Sequence, residues 1–284
     1  MNDLLRRISD FCKASKGSKL IVGRFFLSNL ESVAMMTLDD ISRQTGVSPS
    51  TVTRTASEIG FEGYHDFRGA VRDMVRRGMA PADRFKSSAI PKGALGYKES
   101  LLIDQENLSR VLAMNGDQVI EEAISLLCGA PRIFLAGSRS SYGTVSFMSF
   151  VLAQIRPGVN VTREDEGRIA EQIMDLCEGD LLLAITLPRY SKLLVDLAEE
   201  GAARGCIVLS VSDSPASPLV RLAKVSLYAP YDSYSFFNSC VSVLALFNAL
   251  ATGVARKLGD PALERLKRHN EILNRRGDVV APRS

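Results

Sequence analysis

Two short stretches of the sequence combine hydroxyl side chains with an arginine, and this combination is suited to binding an anion. They are residues 137–141 (GSRSS) and 186–191 (TLPRYS). Hydroxyl groups donate hydrogen bonds to phosphate or carboxylate oxygens, and a guanidinium can hold two such oxygens at once. The candidate anion-binding residues are Ser138, Arg139, Ser140, Ser141, Thr186, Arg189, Tyr190 and Ser191. The alternative is that the serines only cap helices and that Arg189 is solvated.

A third stretch, residues 48–54 (SPSTVTR), has the composition of a surface that contacts bases. Ser50, Thr51 and Arg54 fall on the outward side of a predicted helix, near its N-terminus. That part of a recognition helix meets base edges in the major groove of DNA. The candidate DNA-binding residues are Ser48, Ser50, Thr51, Thr53 and Arg54.

Local capping signals predict the two helices that would hold this surface. Thr37 is a candidate N-cap of the first helix, and Gly46 suits a left-handed residue at its end. Ser48-Pro49 then provides an N-cap and a proline in the first turn of the second helix. The inward face of this second helix is Val52, Thr55, Ala56 and Ile59. The order of these signals predicts a helix-turn-helix, with an ordinary helical hairpin as the alternative.

The two anion-binding stretches each follow an apolar run of the kind that forms a buried strand. Five strands are predicted at 132–137, 159–162, 180–187, 206–213 and 224–230. Helices are predicted at 97–114, 117–128, 141–155, 167–176, 191–203, 218–223 and 235–258. Apolar strands that alternate with helices are typical of a parallel sheet covered on both faces. Such sheets bind ligands at the carboxyl ends of their strands, so the turns after Ala136 and Ile185 should meet at one edge.

Length and charge indicate two domains with different roles. We predict a helix-turn-helix domain at 1–76, a linker at 77–95 and an α/β domain at 96–284. Residues 1–90 contain 14 Lys and Arg against 10 Asp and Glu, whereas residues 91–284 contain 21 against 22. The positive excess therefore lies with the predicted DNA reader, as binding to phosphates requires.

Composition argues against several other classes of protein. The five cysteines are scattered and odd in number, which indicates free thiols in a reducing compartment. Zinc-site spacings, a P-loop and a dinucleotide fingerprint are absent from the sequence, so we expect neither a metal nor a cofactor. The chain opens without a secretory signal, and its apolar stretch 240–255 is shorter than the roughly 20 residues of a membrane span. We expect a cytoplasmic protein without a membrane partner.

With these motifs the chain resembles the RpiR family of bacterial transcription regulators over about residues 1–270. The matching tracts are SPSTVTRTASEIGF (48–61), GYHDF (63–67), FLAGSRSSYG (134–143) and GCIVLSVSDSPASPLVRLAK (205–224). The resemblance implies an all-α helix-turn-helix domain followed by an α/β sugar isomerase (SIS) domain, with a five-stranded parallel sheet in three αβα layers. It also implies an effector-responsive regulator of a carbohydrate catabolic operon that binds double-stranded operator DNA.

The chain departs from this family at the second anion-binding stretch. SIS domains that bind sugar phosphates usually carry S-x-S-G-x-T, where this chain has TLPRYS. Pro188 removes a hydroxyl and a backbone donor, while Arg189 replaces the usual glycine and adds a positive charge. An anionic effector is still favoured, either a sugar phosphate or a sugar acid.

The rival interpretation is an SIS-type sugar-phosphate isomerase whose N-terminal helices only support oligomerisation. Isomerisation needs a general base, and the candidates are Glu164, Asp165, Glu166 and His269. The three adjacent acids also fit a solvated turn or a partner for Arg163. We expect no catalytic residue and no enzymatic activity.

A homodimer or a tetramer is expected, because a helix-turn-helix protein reads two half-sites through two-fold symmetry. The predicted helix at 235–258 can supply an interface core, although it equally fits a helix that covers the sheet. The aromatic residues just before or at the start of this helix are predicted mainly to pack, and they are Tyr231, Tyr234, Phe236 and Phe237.

Overall fold

A computed structural model describes residues 3–34, 36–78, 80–86, 95–162, 169–233 and 235–278. The chain divides into two compact units, Met1–Lys86 and Ser87–Ser284. Each unit has its own hydrophobic core. The units are described separately below.

In the first unit, the described residues form helices joined by short loops, with no strand among them. Its helices are α1 (Asp3–Ala14), α2 (Gly17–Ser28), α3 (Leu30–Val33), α4 (Leu38–Thr45), α5 (Pro49–Ile59), α6 (Tyr64–Gly78) and α7 (Pro81–Lys86). The centre of the core is the stacked pair Phe26 and Phe67, whose ring centroids are 4.3 Å apart. Ile41 of α4 and Val52 of α5 are fully buried in the same core. Burial of each such side chain contributes roughly 1.5–3 kcal/mol, and this holds the two helices against the rest of the unit.

The predicted linker at 77–95 contains ordered structure. Helix α6 extends to Gly78, and α7 occupies Pro81–Lys86. Residues 79 and 87–94 lie outside the described part of the chain. The predicted domain boundaries therefore stay a prediction.

The second unit alternates strands and helices around one sheet. Two helices lead into it, α8 (Tyr97–Met114) and α9 (Asp117–Gly129), where helices were predicted at 97–114 and 117–128. The remaining elements are β1 (Ile133–Gly137), α10 (Ser140–Ile155), β2 (Val159–Val161), α11 (Ile169–Met174), β3 (Leu181–Ile185), α12 (Lys192–Ala203), β4 (Ile207–Ser212), β5 (Val225–Tyr228), α13 (Val241–Leu258) and α14 (Asp260–Arg276).

All strand pairs in the sheet are parallel, and the strand order is β2-β1-β3-β4-β5. The order reverses between β1 and β3, where Gly137 is in register with Ile185. The two predicted anion-binding turns therefore leave the sheet from neighbouring positions at the switch point, as expected.

Alternate residues of each central strand enter different cores. Ile133 and Leu135 of β1 pack in the core that contains α9, α10 and α13, while Phe134 and Ala136 pack in the core that contains α12. Because strand side chains alternate between faces, this pattern shows that helices cover both faces of the sheet. The predicted three-layer αβα architecture is confirmed.

Three features of the second unit differ from the sequence predictions. The segment at 218–223, predicted as a helix, forms turns with hydrogen bonds such as Val220 N to Ser217 O. The helix predicted at 235–258 begins only at Val241, because Ser239 bonds instead to Tyr231 through its backbone and to Asp104 through its hydroxyl. Such local bonds compete with the helical pattern. Helix α14 was not predicted.

Helix α13 is long and apolar enough to cross a membrane by length and composition alone. Its large apolar side chains, however, lie in the core of the second unit, among them Phe247, Leu250 and Val254. This is where the core helix of a water-soluble fold places them.

An ion pair between the buried Asp180 and the partly exposed Arg132 lies at the amino edge of the sheet, opposite the anion-binding turns. The Arg132 guanidinium donates to both carboxylate oxygens of Asp180, at 3.0 and 2.6 Å. Burial raises the pKa of Asp180, but the hydrogen bonds from Arg132 and from the Cys177 amide outweigh it and hold that pKa below its usual value. Removing one partner of such a pair leaves an uncompensated buried charge.

Candidate functional sites

The two helices of the predicted helix-turn-helix are capped as the sequence indicates. The Thr37 amide donates to the Asp40 carboxylate at 2.9 Å, and the Asp40 amide donates to the Thr37 hydroxyl at 3.3 Å. Gly46 ends α4 with a left-handed φ of 68°, and Ser48 caps α5. The turn between the helices is thus specified by local interactions.

Helix α5 buries one face and exposes the other. Val52, Thr55, Ala56 and Ile59 are buried, whereas Ser50 and Arg54 are exposed. Within the described residues of the first unit, the Arg54 guanidinium has no ion pair. Its charge is therefore available to a phosphate or to a base edge.

The other three DNA-binding candidates use their hydroxyls within the helix. The Ser48 hydroxyl lies 3.1 Å from that of Ser50 and 3.0 Å from that of Thr51, and it also accepts from the Thr51 amide. The Thr53 hydroxyl donates to the Pro49 carbonyl at 3.1 Å. Thus Ser48, Thr51 and Thr53 have structural roles, and Ser50 shares the contact with Ser48. Among the five candidates, Arg54 is the one whose polar group makes no contact within the described residues of the unit.

An arginine far away in sequence supports the end of α5. Arg7 of α1 donates to the carbonyls of Ile59 and Gly60 at 2.7–3.0 Å, and its guanidinium lies 4.4 Å from the centre of the Phe61 ring. Carbonyls at the end of a helix lack partners within the helix, and a cation there also interacts favourably with the helix dipole. The sequence analysis missed this residue, because its contacts span more than fifty positions.

The first anion-binding turn approaches its following helix closely. A Cβ atom on Gly137 would lie 2.9 Å from the carbonyl oxygen of Ser141, so only glycine fits here. Arg139 is exposed and has a positive φ of 53°. Ser140 begins α10, and Ser141 is buried. The turn therefore brings the N-terminus of α10, which favours an anion, to the end of β1.

The second turn has a similar construction at the end of β3. Thr186 is buried, and Arg189 is exposed with a positive φ of 68°. The Ser191 hydroxyl caps α12 by accepting from the Leu194 amide at 3.5 Å. Ser191 therefore caps a helix, which is the alternative to anion binding that was considered for these serines. Both arginines stand at the same edge of the sheet as the N-termini of α10 and α12.

A carboxylate that the sequence analysis did not assign belongs to the same edge. Asp213 follows β4, is buried, and accepts from the Tyr190 hydroxyl at 2.9 Å. The hydroxyls of Ser212 and Ser214 also lie 3.2 Å from its oxygens. The position of Asp213 at the carboxyl end of the fourth predicted strand, 206–213, was the signal that could have found it.

The start of α13 borders both turns. The Asn238 amide group donates to the Pro188 carbonyl at 3.2 Å. Burial raises the pKa of the Cys240 thiol, and a hydrogen bond with Ser140 partly opposes this effect. These contacts bring the N-terminus of α13 beside the turn after β1 and the turn after β3. Three helix N-termini consequently converge at one edge, and each favours negative charge.

Of the residues considered as general bases, only His269 lies in the described part of the chain. Glu164, Asp165 and Glu166 lie outside the described residues, as does Tyr234. His269 is half-buried on α14. Tyr231 is buried in the core, whereas Phe236 and Phe237 are half-exposed and contact each other edge to face, with ring centroids 5.1 Å apart.

Known protein families match both units. Residues 5–77 match the helix-turn-helix domain of the rpiR family, and residues 126–253 match the SIS domain. The first match contains the whole of α4 and α5, and the second contains the whole sheet together with both anion-binding turns.

Solved structures share this fold at low sequence identity. The sugar isomerase domain of an RpiR transcription factor from Sphaerobacter thermophilus is 24% identical, over 61% of this chain and 97% of that chain, with a TM-score of 0.59. The Vibrio vulnificus NanR protein, complexed with ManNAc-6P, is 20% identical over 95% of this chain and 97% of that chain, with a TM-score of 0.58. The E. coli CFT073 protein c3406, solved with a bound ligand, is 13% identical over 57% of this chain and 90% of that chain, with a TM-score of 0.50. With an RpiR-type helix-turn-helix domain followed by a SIS domain, the chain belongs to the RpiR family.

Proposed function

We propose that this protein is a transcription regulator that binds operator DNA through α5 and senses an anionic sugar-type effector at the carboxyl edge of its sheet. The effector is a sugar phosphate or a sugar acid, and the regulated genes form a carbohydrate catabolic operon. The protein acts in the cytoplasm as a homodimer or a tetramer and is not an enzyme. The observation that carries this proposal is that one chain combines a helix-turn-helix, whose second helix exposes Arg54, with a sheet edge where helix N-termini and two exposed arginines favour an anion.

The DNA part of the proposal rests on the division of α5 into two faces. Its apolar side is fixed in the core, so Ser50 and Arg54 project from a rigid support. The carbonyls at its C-terminal end are satisfied by Arg7, which leaves its N-terminal half for the groove. A surface of this kind reads bases when two copies are placed at the spacing of two half-sites.

The effector part rests on charge and on donors. Three helix N-termini converge on the sheet edge, and the exposed guanidiniums of Arg139 and Arg189 add two full positive charges there. Asp213 and the hydroxyl groups around it offer acceptors and donors that suit a polyol. An effector that carries both an anionic group and several hydroxyls satisfies both parts of this site.

The backbone conformation at Arg189 allows the role of its charge to be tested without disturbing the turn. Its φ of 68° is the conformation of the glycine that usually occupies this motif position, so Arg189→Gly removes the charge without straining the turn. We expect the variant to lose most of its response to effector and to keep its operator affinity in the absence of effector. Arg204→Ala, which removes an exposed arginine at the end of α12, is the matched control.

The measurement is a gel shift on DNA that flanks the protein's own gene, titrated with sugar phosphates and sugar acids, ManNAc-6P among them. A thermal-shift screen on the full chain identifies the ligand, because a ligand that binds only the folded state raises its apparent stability. A normal effector response in Arg189→Gly contradicts the assignment of the site. Turnover of the bound sugar by the wild-type protein instead favours an SIS isomerase.

A further inference from the structure

Helix α8 carries an apolar stripe that faces away from the core of its own unit. The stripe consists of Tyr97, Leu101, Leu108 and Leu112, which are 60, 68, 39 and 84% exposed. At 3.6 residues per turn these four side chains fall within a sector of about 60°. Leu102, which is 60% exposed, is the fifth exposed large apolar side chain of α8 and lies outside that sector. A different side of the helix faces the unit, where Val111 is buried and the Asn107 amide group donates to the carbonyl of Asp232.

The helix expected to form a subunit interface does not offer such a surface. Most large apolar side chains of α13 pack in the core of the second unit, while Val241 and Leu244 are half-buried. None of them is among the exposed large hydrophobic residues of the described chain. An exposed stripe of four large side chains on one helix is, by contrast, typical of a surface that is covered in an assembly.

The spacing of the stripe identifies what covers it. The intervals from Tyr97 to Leu112 are four, seven and four residues, so the pattern reads the same from both ends. If two copies of α8 meet antiparallel, about a two-fold axis between residues 104 and 105, Tyr97 packs against the partner's Leu112. In the same way Leu101 packs against the partner's Leu108. A self-complementary pattern of this kind is what an isologous two-fold interface requires.

The charges on α8 agree with this arrangement. Arg110 pairs with Asp232 at 2.6 Å, and Asp104 accepts a hydrogen bond from Ser239 at 2.5 Å. Lys98 lies beside the ring of its own Tyr97. Two side chains flank the stripe beside the axis: the neutral Gln105 on one side and Asp104, which is bonded to Ser239 of its own unit, on the other.

We propose that the Tyr97–Leu112 stripe is a docking surface for a second copy of this chain, with the two α8 helices antiparallel. The inference is independent of what either unit binds. It locates the subunit contact on the helix that opens the second unit, rather than on α13.

Sedimentation of the full chain tests the surface. The wild-type protein should be a dimer or a larger assembly of dimers at micromolar concentration, and Leu101→Glu should weaken the α8 contact at least tenfold, since it places a charge in an apolar contact. Leu101 is exposed in the single chain, so the variant should stay folded, with the helix content of the wild type. Phe150→Ser, at a 64% exposed position on α10, is the control that should leave the α8 contact intact. A monomeric wild type, or an assembly that is sensitive to Phe150→Ser and insensitive to Leu101→Glu, overturns the proposal.

The register has its own test. In the antiparallel arrangement the double variant Leu101→Lys/Leu108→Glu places each new lysine opposite a new glutamate of the other copy, so it should dimerise better than either single variant. In a Cys177→Ser background, which removes an exposed thiol, Gln105→Cys should form a covalent dimer on mild oxidation. Glu106→Cys, which points away from the stripe, should not. A cross-link within one chain, capture of a different protein in place of a second copy, or equal dimer formation by both cysteine variants contradicts the arrangement.

Discussion

The recognition helix and the carboxyl edge of the sheet hold their functional side chains in different ways. On α5, Ser50 and Arg54 project into solvent from one helix whose opposite face is fixed. At the sheet edge, Thr186, Asp213 and Ser141 are buried, and the loops that carry them start from three different strands. A substitution on the first surface therefore changes binding alone, whereas a substitution at the second also disturbs packing.

The largest effect is expected where the sheet edge is packed most tightly. Gly137→Ala brings a Cβ to 2.9 Å from the carbonyl oxygen of Ser141, and that oxygen cannot move unless α10 moves with it. We expect the free energy of unfolding of the second unit to fall by about 2–3 kcal/mol, together with loss of effector binding. Urea denaturation of the full chain measures the change.

The matched control for this prediction is Gly143→Ala. A Cβ atom at Gly143 meets nothing within 4 Å, and the residue lies inside α10. Alanine is favoured over glycine inside a helix by about 0.5–1 kcal/mol, so this variant should be slightly more stable than the wild type. If both alanine variants behave alike, the sheet edge is not packed as tightly as the structure indicates.

The exposed face of α5 should show the opposite behaviour, with a loss of binding and no loss of stability. Arg54→Ala is expected to weaken operator binding by about 1–3 kcal/mol, roughly 5- to 150-fold, because a bidentate contact to a base or phosphate is lost. The unfolding temperature should stay at the wild-type value, since the side chain is exposed and unpaired within the described residues of its unit. Fluorescence anisotropy on labelled operator, with Arg204→Ala as the charge control, measures the effect. A fall in stability without a fall in affinity runs against the assignment.

A smaller effect is expected at the cap that orients the helix-turn-helix. Thr37→Ala removes the hydroxyl that accepts from the Asp40 amide and donates to the Asp40 carboxylate at 2.6 Å. Loss of an N-cap costs about 1 kcal/mol, and this loss should be confined to the first unit. Thr37→Ser keeps the cap and should restore most of the stability. Hydrogen exchange resolved by residue checks both expectations; slowed exchange in α4 of the alanine variant contradicts them.

The smallest difference is expected in the response of the two units to acid. Hydrogen bonds from Thr37 lower the pKa of Asp40, and the pKa of Asp180 is lowered because bonds from Arg132 and Cys177 outweigh its burial. A carboxyl whose pKa is lowered by folding stabilises the fold above its unfolded-state pKa of about 4 and loses that contribution as the pH falls further. Asp180→Asn should flatten this acid limb for the second unit only. An unchanged profile would show that the ion pair contributes little.

The comparison also explains which parts of the structure could be predicted from the sequence. Thr37, Gly46 and Ser48 act on residues three or four positions away, so the helix-turn-helix follows from local signals. The apolar runs of β1 and β3 likewise identified the sheet and the edge at which Gly137 and Ile185 end. The central fold was therefore accessible to sequence reasoning.

The missed features depend on contacts between distant residues. Asp213 belongs to the candidate site because Tyr190 donates to it from another loop, and Arg7 supports α5 from α1. Residues 235–240 stay non-helical because Ser239 bonds to Tyr231 and Asp104. Helix α14 was missed because its apolar residues are spread among many charges, and Ala262 is its one residue in the buried core. None of these contacts is visible in a pattern of neighbouring residues.

The left-handed backbone at Arg189 has a consequence for how proteins of this fold diverge. Arg189 has a left-handed φ, which glycine adopts readily. The backbone of the loop can therefore keep the same conformation with either residue at that position. Holding a non-glycine residue in such a conformation costs of order 1–3 kcal/mol, and the surrounding structure must supply it. Exchange between glycine and arginine can then add or remove a charge beside the ligand without rebuilding the loop. At the effector site proposed above, a change of ligand preference is in this way accessible by a single substitution.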